Sequence, residues 1–216
     1  MIQLITVVNE KQYEFDNIGT SRIAAFLSSR DINVKTTFIY QENSLKEIDK
    51  IDFSYDIFGF SAYNTNIDFI FALAKIIKQK NSKKLIFLGS KYATDAADLI
   101  LDESKDIDFI ILGHGEYPLL EFFTLYKNGK SLDEIYKLIP NIKTRDYSFN
   151  KEECVSDINT LVWPERTNTY LRNNFTANIC TSHGCAGNCS FCSVSEKNHK
   201  WSGRPAKDIF DEIIFI

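Results

Sequence analysis

Short apolar runs alternate five times with stretches of helical apolar spacing along the amino-terminal part of this chain, and no other feature constrains its fold so tightly. Ile2 to Val8, Val34 to Tyr40, Asp56 to Phe60, Lys84 to Leu88 and Asp108 to Leu112 are of strand length and rich in Ile, Val and Phe, which predicts five buried strands. Between or after them, Ile18 to Ser29, Ser44 to Lys50, Ile67 to Lys80, Thr94 to Leu101 and Tyr117 to Tyr126 carry apolar residues at helical spacing, as in Ile67, Ile70, Phe71, Ala74 and Ile77. Such alternation predicts parallel strands with right-handed crossovers and helices on both faces, a doubly wound α/β domain.

In a flavodoxin-like parallel sheet of this kind, ligands bind beyond the carboxyl ends of the strands. The loops at that edge begin Gly59-Phe60-Ser61-Ala62-Tyr63-Asn64, Gly89-Ser90-Lys91-Tyr92 and Gly113-His114-Gly115-Glu116-Tyr117. Glycine permits a bulky ligand to approach the backbone, but it also ends strands and caps helices, so these loops alone do not decide between a bound nucleotide-like ligand and simple punctuation. His114, between two glycines after a buried strand, reads as a hydrogen-bonding loop residue rather than a metal ligand.

A second signal lies further on, where Cys185, Cys189 and Cys192 form C-x-x-x-C-x-x-C inside Thr181-Ser182-His183-Gly184-Cys185-Ala186-Gly187-Asn188-Cys189-Ser190-Phe191-Cys192. Thiolates select zinc or iron-sulfur clusters, and a cubane held by three of them keeps one iron free. Gly184, Gly187 and Asn188 accept positive φ at low cost, as a loop wrapped around a small object requires. Zinc bound by these thiols with His183 or His199 is the competing reading, although structural zinc usually takes two separated ligand pairs. A disulfide framework is disfavoured, because the five cysteines are odd in number and the chain shows no secretory signal.

Composition narrows the function classes. A net charge of -4 argues against a general nucleic-acid-binding or membrane surface, which needs a basic excess. No run reaches the ~20 apolar residues that span a bilayer. A cytoplasmic location, with reduced thiols, is expected.

The cysteine run resembles the cluster-binding loop of the radical S-adenosylmethionine (radical SAM) enzymes, C-x-x-x-C-x-aromatic-C. The resemblance implies that Cys185, Cys189 and Cys192 hold a 4Fe-4S cluster whose unique iron chelates S-adenosylmethionine, with Phe191 alongside the adenine. It implies reductive cleavage of that cofactor to a 5'-deoxyadenosyl radical, with an electron donor such as flavodoxin or ferredoxin. Residues 1–130 in turn resemble the cobalamin-binding domain that precedes the radical SAM domain in the B12-dependent branch. Ser61 and Tyr63 fall at its Ser-x-Leu-like position, Gly89 and Ser90 at its Gly-Gly, and Gly113, Gly115 and Glu116 in its Gly-x-Gly-Glu turn.

Two departures stand out. Asn9 to Phe15 contains no Asp-x-His-x-x-Gly, so no histidine is offered there to ligate cobalt from below, and Ser90 adds a side chain where the corrin or its nucleotide tail would pass.

Residues 131–172 read as a connector, with Ile139-Pro140-Asn141-Ile142 as a short strand entering a hairpin, Trp163-Pro164-Glu165-Arg166 as a breaker and Cys154 as an exposed thiol. Residues 173–216 read as the start of the radical SAM domain: a strand from Phe175 to Thr181 with Cys180 packed in the core, then the cysteine loop, then a helix from Pro205 to Ile216. Only the first β/α unit of that barrel is present. The resemblance therefore implies the amino-terminal part of an enzyme, from a truncated reading frame, a gene fragment or a split gene whose remaining barrel is a separate chain, and it leaves the substrate open. The alternatives are a non-catalytic cobalamin- or nucleotide-binding module with a vestigial cluster loop, and a zinc-stabilised interaction module.

Overall fold

The computed structural model describes residues 1–8, 17–41, 47–148, 162–166, 177–187, 189–192 and 201–216. The loop at residues 9–15, Cys154 and His199 lie outside the described residues.

The five predicted strands form, as β1 (Ile2–Val8), β2 (Val34–Tyr40), β3 (Ile57–Ser61), β4 (Leu85–Gly89) and β5 (Phe109–Ile111). A short β6 (Ile142–Lys143) completes a sheet of order β2-β1-β3-β4-β5-β6. All neighbours from β2 to β5 pair in parallel, and β6 runs antiparallel to β5. The chain thus makes a mostly parallel α/β sheet.

Alternate side chains of each strand point to opposite faces, and both faces are apolar. Ile5, Val7, Phe58, Phe60, Ile86, Leu88 and Ile110 pack under α2 (Ile67–Lys80), α3 (Lys91–Asp95) and α4 (Ala97–Glu103). Ile2, Leu4, Ile57, Leu85, Phe87, Phe109 and Ile111 pack under α1 (Ile18–Ser28), α5 (Glu116–Lys127) and α6 (Leu132–Leu138).

Several elements depart from the expected pattern for visible reasons. The stretch expected as one helix from Thr94 to Leu101 starts earlier, because the Ser90 side chain caps α3, and it breaks at Ala96 before α4. Of the helix expected from Ser44 to Lys50, the described part is a 3-10 turn, Ile48–Lys50, held by Gln3 Nε2 donating to the Lys50 carbonyl at 3.0 Å. α6 forms where the apolar pattern loosens, started by a reciprocal cap: Ser131 Oγ accepts from Glu134 N at 3.3 Å and a Glu134 carboxylate oxygen accepts from Ser131 N at 3.0 Å. Ile135, Ile139 and Ile142 then enter the core, so the packed unit continues past residue 130.

The strand expected from Phe175 to Thr181 is not formed over its described residues, 177–181. Arginine side chains take two of its carbonyls, and a backbone N–H next to the Ser202–Gly203 strand takes a third. Arg166 Nη2 donates to Asn178 O at 2.9 Å, Arg204 Nη1 to Cys180 O at 2.8 Å, and the Arg204 backbone N to Thr181 O at 2.9 Å. Cys180 is accordingly half-buried rather than packed in a core, its Sγ donating to Ser182 O at 3.2 Å. β7 (Ser182–His183) pairs antiparallel with β8 (Ser202–Gly203), and α7 (Ala206–Phe215) follows. Glu212 of α7, 0% exposed, accepts from both Arg166 and Arg204. Among the described residues no helix is long and apolar enough to cross a membrane.

Gly59 is the tightest point of the sheet. A Cβ there would lie 2.3 Å from the Phe87 ring and 2.8 Å from Leu4. Gly59→Ala is expected to lower stability by about 1–3 kcal/mol through overpacking, read as a reduced urea midpoint.

Candidate functional site

The strand order reverses between β1 and β3, and a crevice opens at the carboxyl ends of strands at such a point. Asn66, 3% exposed, spans it. Its Nδ2 donates to Val7 O at 3.0 Å and to Ser61 O at 3.3 Å, while its Oδ1 accepts from Tyr63 N at 2.7 Å. One amide thereby ties the ends of β1 and β3. This residue escaped the sequence reading; an asparagine in the position before an amphipathic helix was the available signal.

The loops after β3, β4 and β5 are joined in series. Ala62 N donates to Gly89 O at 3.0 Å, and Ser90 Oγ donates to Ala62 O. Thr94 Oγ1 donates to Ser90 O at 2.9 Å and accepts from Gly113 N at 3.0 Å. Asn141 closes the far end, its Nδ2 donating to Leu112 O at 3.0 Å and its carbonyl accepting from Leu112 N at 2.7 Å.

Ser61, Tyr63, Gly89, Ser90 and Gly113 are therefore brought together on one edge. Ser61 is half-buried and Tyr63 is 46% exposed at the rim. A Cβ built on Gly89 meets nothing within 4 Å, which leaves open space over the loop between β4 and α3. Gly113, at φ 70°, makes the turn after β5. Gly115 serves packing instead: a Cβ there would lie 3.0 Å from Ile23 of α1. Glu116 is buried in the first turn of α5.

Ser90 does not obstruct this edge as its sequence suggests. Its hydroxyl turns back into the loop, donating to Ala62 O and accepting from Ala93 N at 3.1 Å. The backbone adopts φ 133° and ψ 173°, a region that favours glycine. The cap bonds hold the residue there.

His183 lies above the same edge. Its Nε2 is 2.7 Å from Arg22 Nη1 and its Nδ1 is 3.4 Å from His114 Nε2, with the two imidazole centroids 4.6 Å apart. Burial, with the Arg22 charge beside it, holds His183 below the usual imidazole range, and Glu116 opposes that shift. Both of its ring nitrogens lie within hydrogen-bond distance of a side chain of α1 or of the turn after β5 rather than of a cysteine.

The cysteines that follow are not joined in disulfides, with Cys185 and Cys189 exposed and Cys192 half-buried. A Cβ at Gly187 would lie 3.4 Å from Cys185 Sγ and 3.7 Å from Cys189 Sγ, so a glycine keeps the space between these sulfurs clear. Gly187 N donates to Cys185 Sγ at 3.3 Å, and Cys192 N to Cys189 O at 3.0 Å. Phe191 is 90% exposed. Among the described residues no three His, Cys, Asp or Glu side chains converge as a metal site. The donor set nonetheless fits a thiophilic cluster: three thiols on one loop, with a glycine beside the first two sulfurs. Open space at Gly89 and an edge free of the Ser90 hydroxyl likewise fit a large planar ligand.

This edge and sheet define a class. The B12 binding domain family matches residues 5–123, more than half of the chain, and the chain belongs to that family. It is also similar to an uncharacterized methyltransferase of Pyrococcus horikoshii, 23% identical over 171 residues that make up 76% of this chain and 37% of that protein. A tRNA-2-methylthio-N(6)-dimethylallyladenosine synthase of Buchnera aphidicola is 34% identical over 148 residues, 65% of this chain and 28% of that protein. The chain thus spans well under half the length of both curated relatives.

The two roles of Ser90 can be separated. Ser90→Ala keeps the strained backbone and loses the cap, and is expected to cost about 1–2 kcal/mol. Ser90→Gly relieves the strain, and is expected to be about 1 kcal/mol more stable than Ser90→Ala in urea unfolding.

Proposed function

We propose that this chain is the amino-terminal part of a cobalamin-dependent radical SAM enzyme, acting in methylation or another radical modification of a substrate still to be identified. One juxtaposition carries the reading: a B12-binding domain whose carboxyl edge is touched, through His183, by the segment bearing C-x-x-x-C-x-x-C. The names of the two relatives, one an uncharacterized methyltransferase and the other a tRNA-2-methylthio-N(6)-dimethylallyladenosine synthase, support a group-transfer setting of this kind.

In this reading Ser61, Tyr63, Gly89, Ser90, Gly113, Gly115 and Glu116 border the cobalamin site. Gly89 leaves room for the ligand, Gly113 makes the turn after β5 that borders it, and Gly115 lets that turn pack against α1. Cys185, Cys189 and Cys192 supply three thiolates to a 4Fe-4S cluster, and the exposed Phe191 offers an apolar face to the adenine of S-adenosylmethionine. When bound, these groups supply the one-electron and methyl-transfer chemistry that protein side chains lack. The protein's part is to present the three sulfurs on one loop, keep space clear and orient the two sites. A small reductant protein such as flavodoxin or ferredoxin, and the rest of a β/α barrel, are the expected partners.

The alternative is a non-catalytic cobalamin- or nucleotide-binding module with a vestigial cluster loop, which would rest on the B12-binding family match alone. Anaerobic reconstitution with iron and sulfide, followed by S-adenosylmethionine and a reductant, separates the two. The expected result is a 4Fe-4S spectrum lost in Cys185→Ala, Cys189→Ala or Cys192→Ala, with formation of 5'-deoxyadenosine. Cobalamin binding with no cluster would establish the alternative, and one zinc with neither iron nor sulfide would overturn both. Separately, Gly89→Phe fills the open space and is expected to weaken cobalamin binding at least about tenfold by equilibrium dialysis, without loss of fold.

A further inference from the structure

Arg22 and His114 belong to the part of the chain matched by the B12 binding domain family, whereas His183 lies beyond it, two residues before Cys185. The three side chains form a line across the carboxyl edge: Arg22 at the start of α1, His183 in the middle and His114 in the turn after β5. A guanidinium only donates, so His183 Nε2 accepts from Arg22; its proton then sits on Nδ1, directed at His114 Nε2. Arg22 is 6% exposed, so this charge-assisted bond is shielded from water.

The far side of His183 is equally tied. β7 is paired with β8, and Arg204, next to β8, holds the carbonyls of Cys180 and Thr181. A neighbouring contact runs parallel to this one, from Glu165 N to Ser21 O at 3.1 Å. His183 is thus a rigidly mounted pin, and Arg22 and His114 are its socket.

We propose that Arg22, His183 and His114 form a latch that docks the cysteine loop on the ligand edge of the B12-binding domain, making Arg22 and His114 positioning residues for that loop. The functional meaning of the latch rests on the reading of the two sites given above: it fixes the first thiol two residues from the edge where cobalamin would bind. The latch is made by side chains of this chain alone and is tested in metal-free protein, so its failure is distinct from a failure to bind cobalamin or a cluster.

The experiment is hydrogen exchange on the reduced, metal-free full chain, followed by mass spectrometry of peptides covering 182–187 and of the β3 and β4 peptides. In Arg22→Leu and His183→Ala, exchange at 182–187 is expected to rise about tenfold or more, as loss of a hydrogen bond to a charged group predicts, with β3 and β4 unchanged. His183→Gln places an amide oxygen where Nε2 accepts from Arg22, and is expected to recover much of the protection lost in His183→Ala. Wild-type rates at 182–187 in Arg22→Leu would overturn the latch. Equal acceleration in β3 and β4, or no recovery in His183→Gln, would overturn it as well.

Discussion

Burial of β1, β3 and β4 on both faces is the condition on which the rest of this protein depends. A parallel strand in the middle of such a sheet presents apolar side chains alternately up and down, and it is stable only when helices cover both sides. With Ile5, Phe58, Ile86 and Ile110 turned to one layer and Leu4, Ile57, Phe87 and Phe109 to the other, the helices have no choice of side. Phe87 occupies the space left by Gly59 and stacks on Phe109 at 5.2 Å, which stacks in turn on Phe122 of α5 at 5.0 Å. Once the sheet is pinned in this way, its carboxyl edge is a fixed row of loop starts.

That edge is held by few polar groups. Asn66, Ser90, Thr94 and Asn141 each bond backbone atoms of an element other than their own, so the end of β1 and the loops after β3, β4 and β5 form one surface. Each buried bond counts for more than its modest net contribution, because losing one partner strands another polar group away from water. Rigidity of this kind suits a site for a large, stiff ligand. It also gives the Arg22 and His114 side chains defined positions against which a second segment can register.

That second segment owes its conformation to charge. Glu212 is fully buried between Arg166 and Arg204, and the same arginines hold the carbonyls of Asn178 and Cys180. A buried carboxylate flanked by two guanidiniums favours one geometry strongly, since any other leaves a charge unpaired in a low-dielectric setting. The extended chain ahead of the cysteine loop is therefore fastened to α7, and the loop, with Cys185 and Cys189 exposed, projects from a firm base.

Much of this was legible in the linear chain. Every strand from β1 to β5, the helices α1, α2, α5 and α7 and the glycine-bearing loops follow from apolar period and from turn residues, because those signals are local. The reciprocal cap at Ser131 and Glu134 was equally local and marks α6, though the apolar pattern around it is weak. What the chain could not reveal were pairings across long separations. Ser90 reads as an obstruction until its hydroxyl is seen bonded to Ala62, and the run ending at Thr181 reads as a strand until Arg166 and Arg204 take its carbonyls. The sequence by itself determined which residue types are available and which segments are strand, helix or loop. Only the tertiary structure decided that Arg22, His114 and His183 meet, since residues 161 and 69 positions apart share a contact through the packing of the whole and not through any local preference.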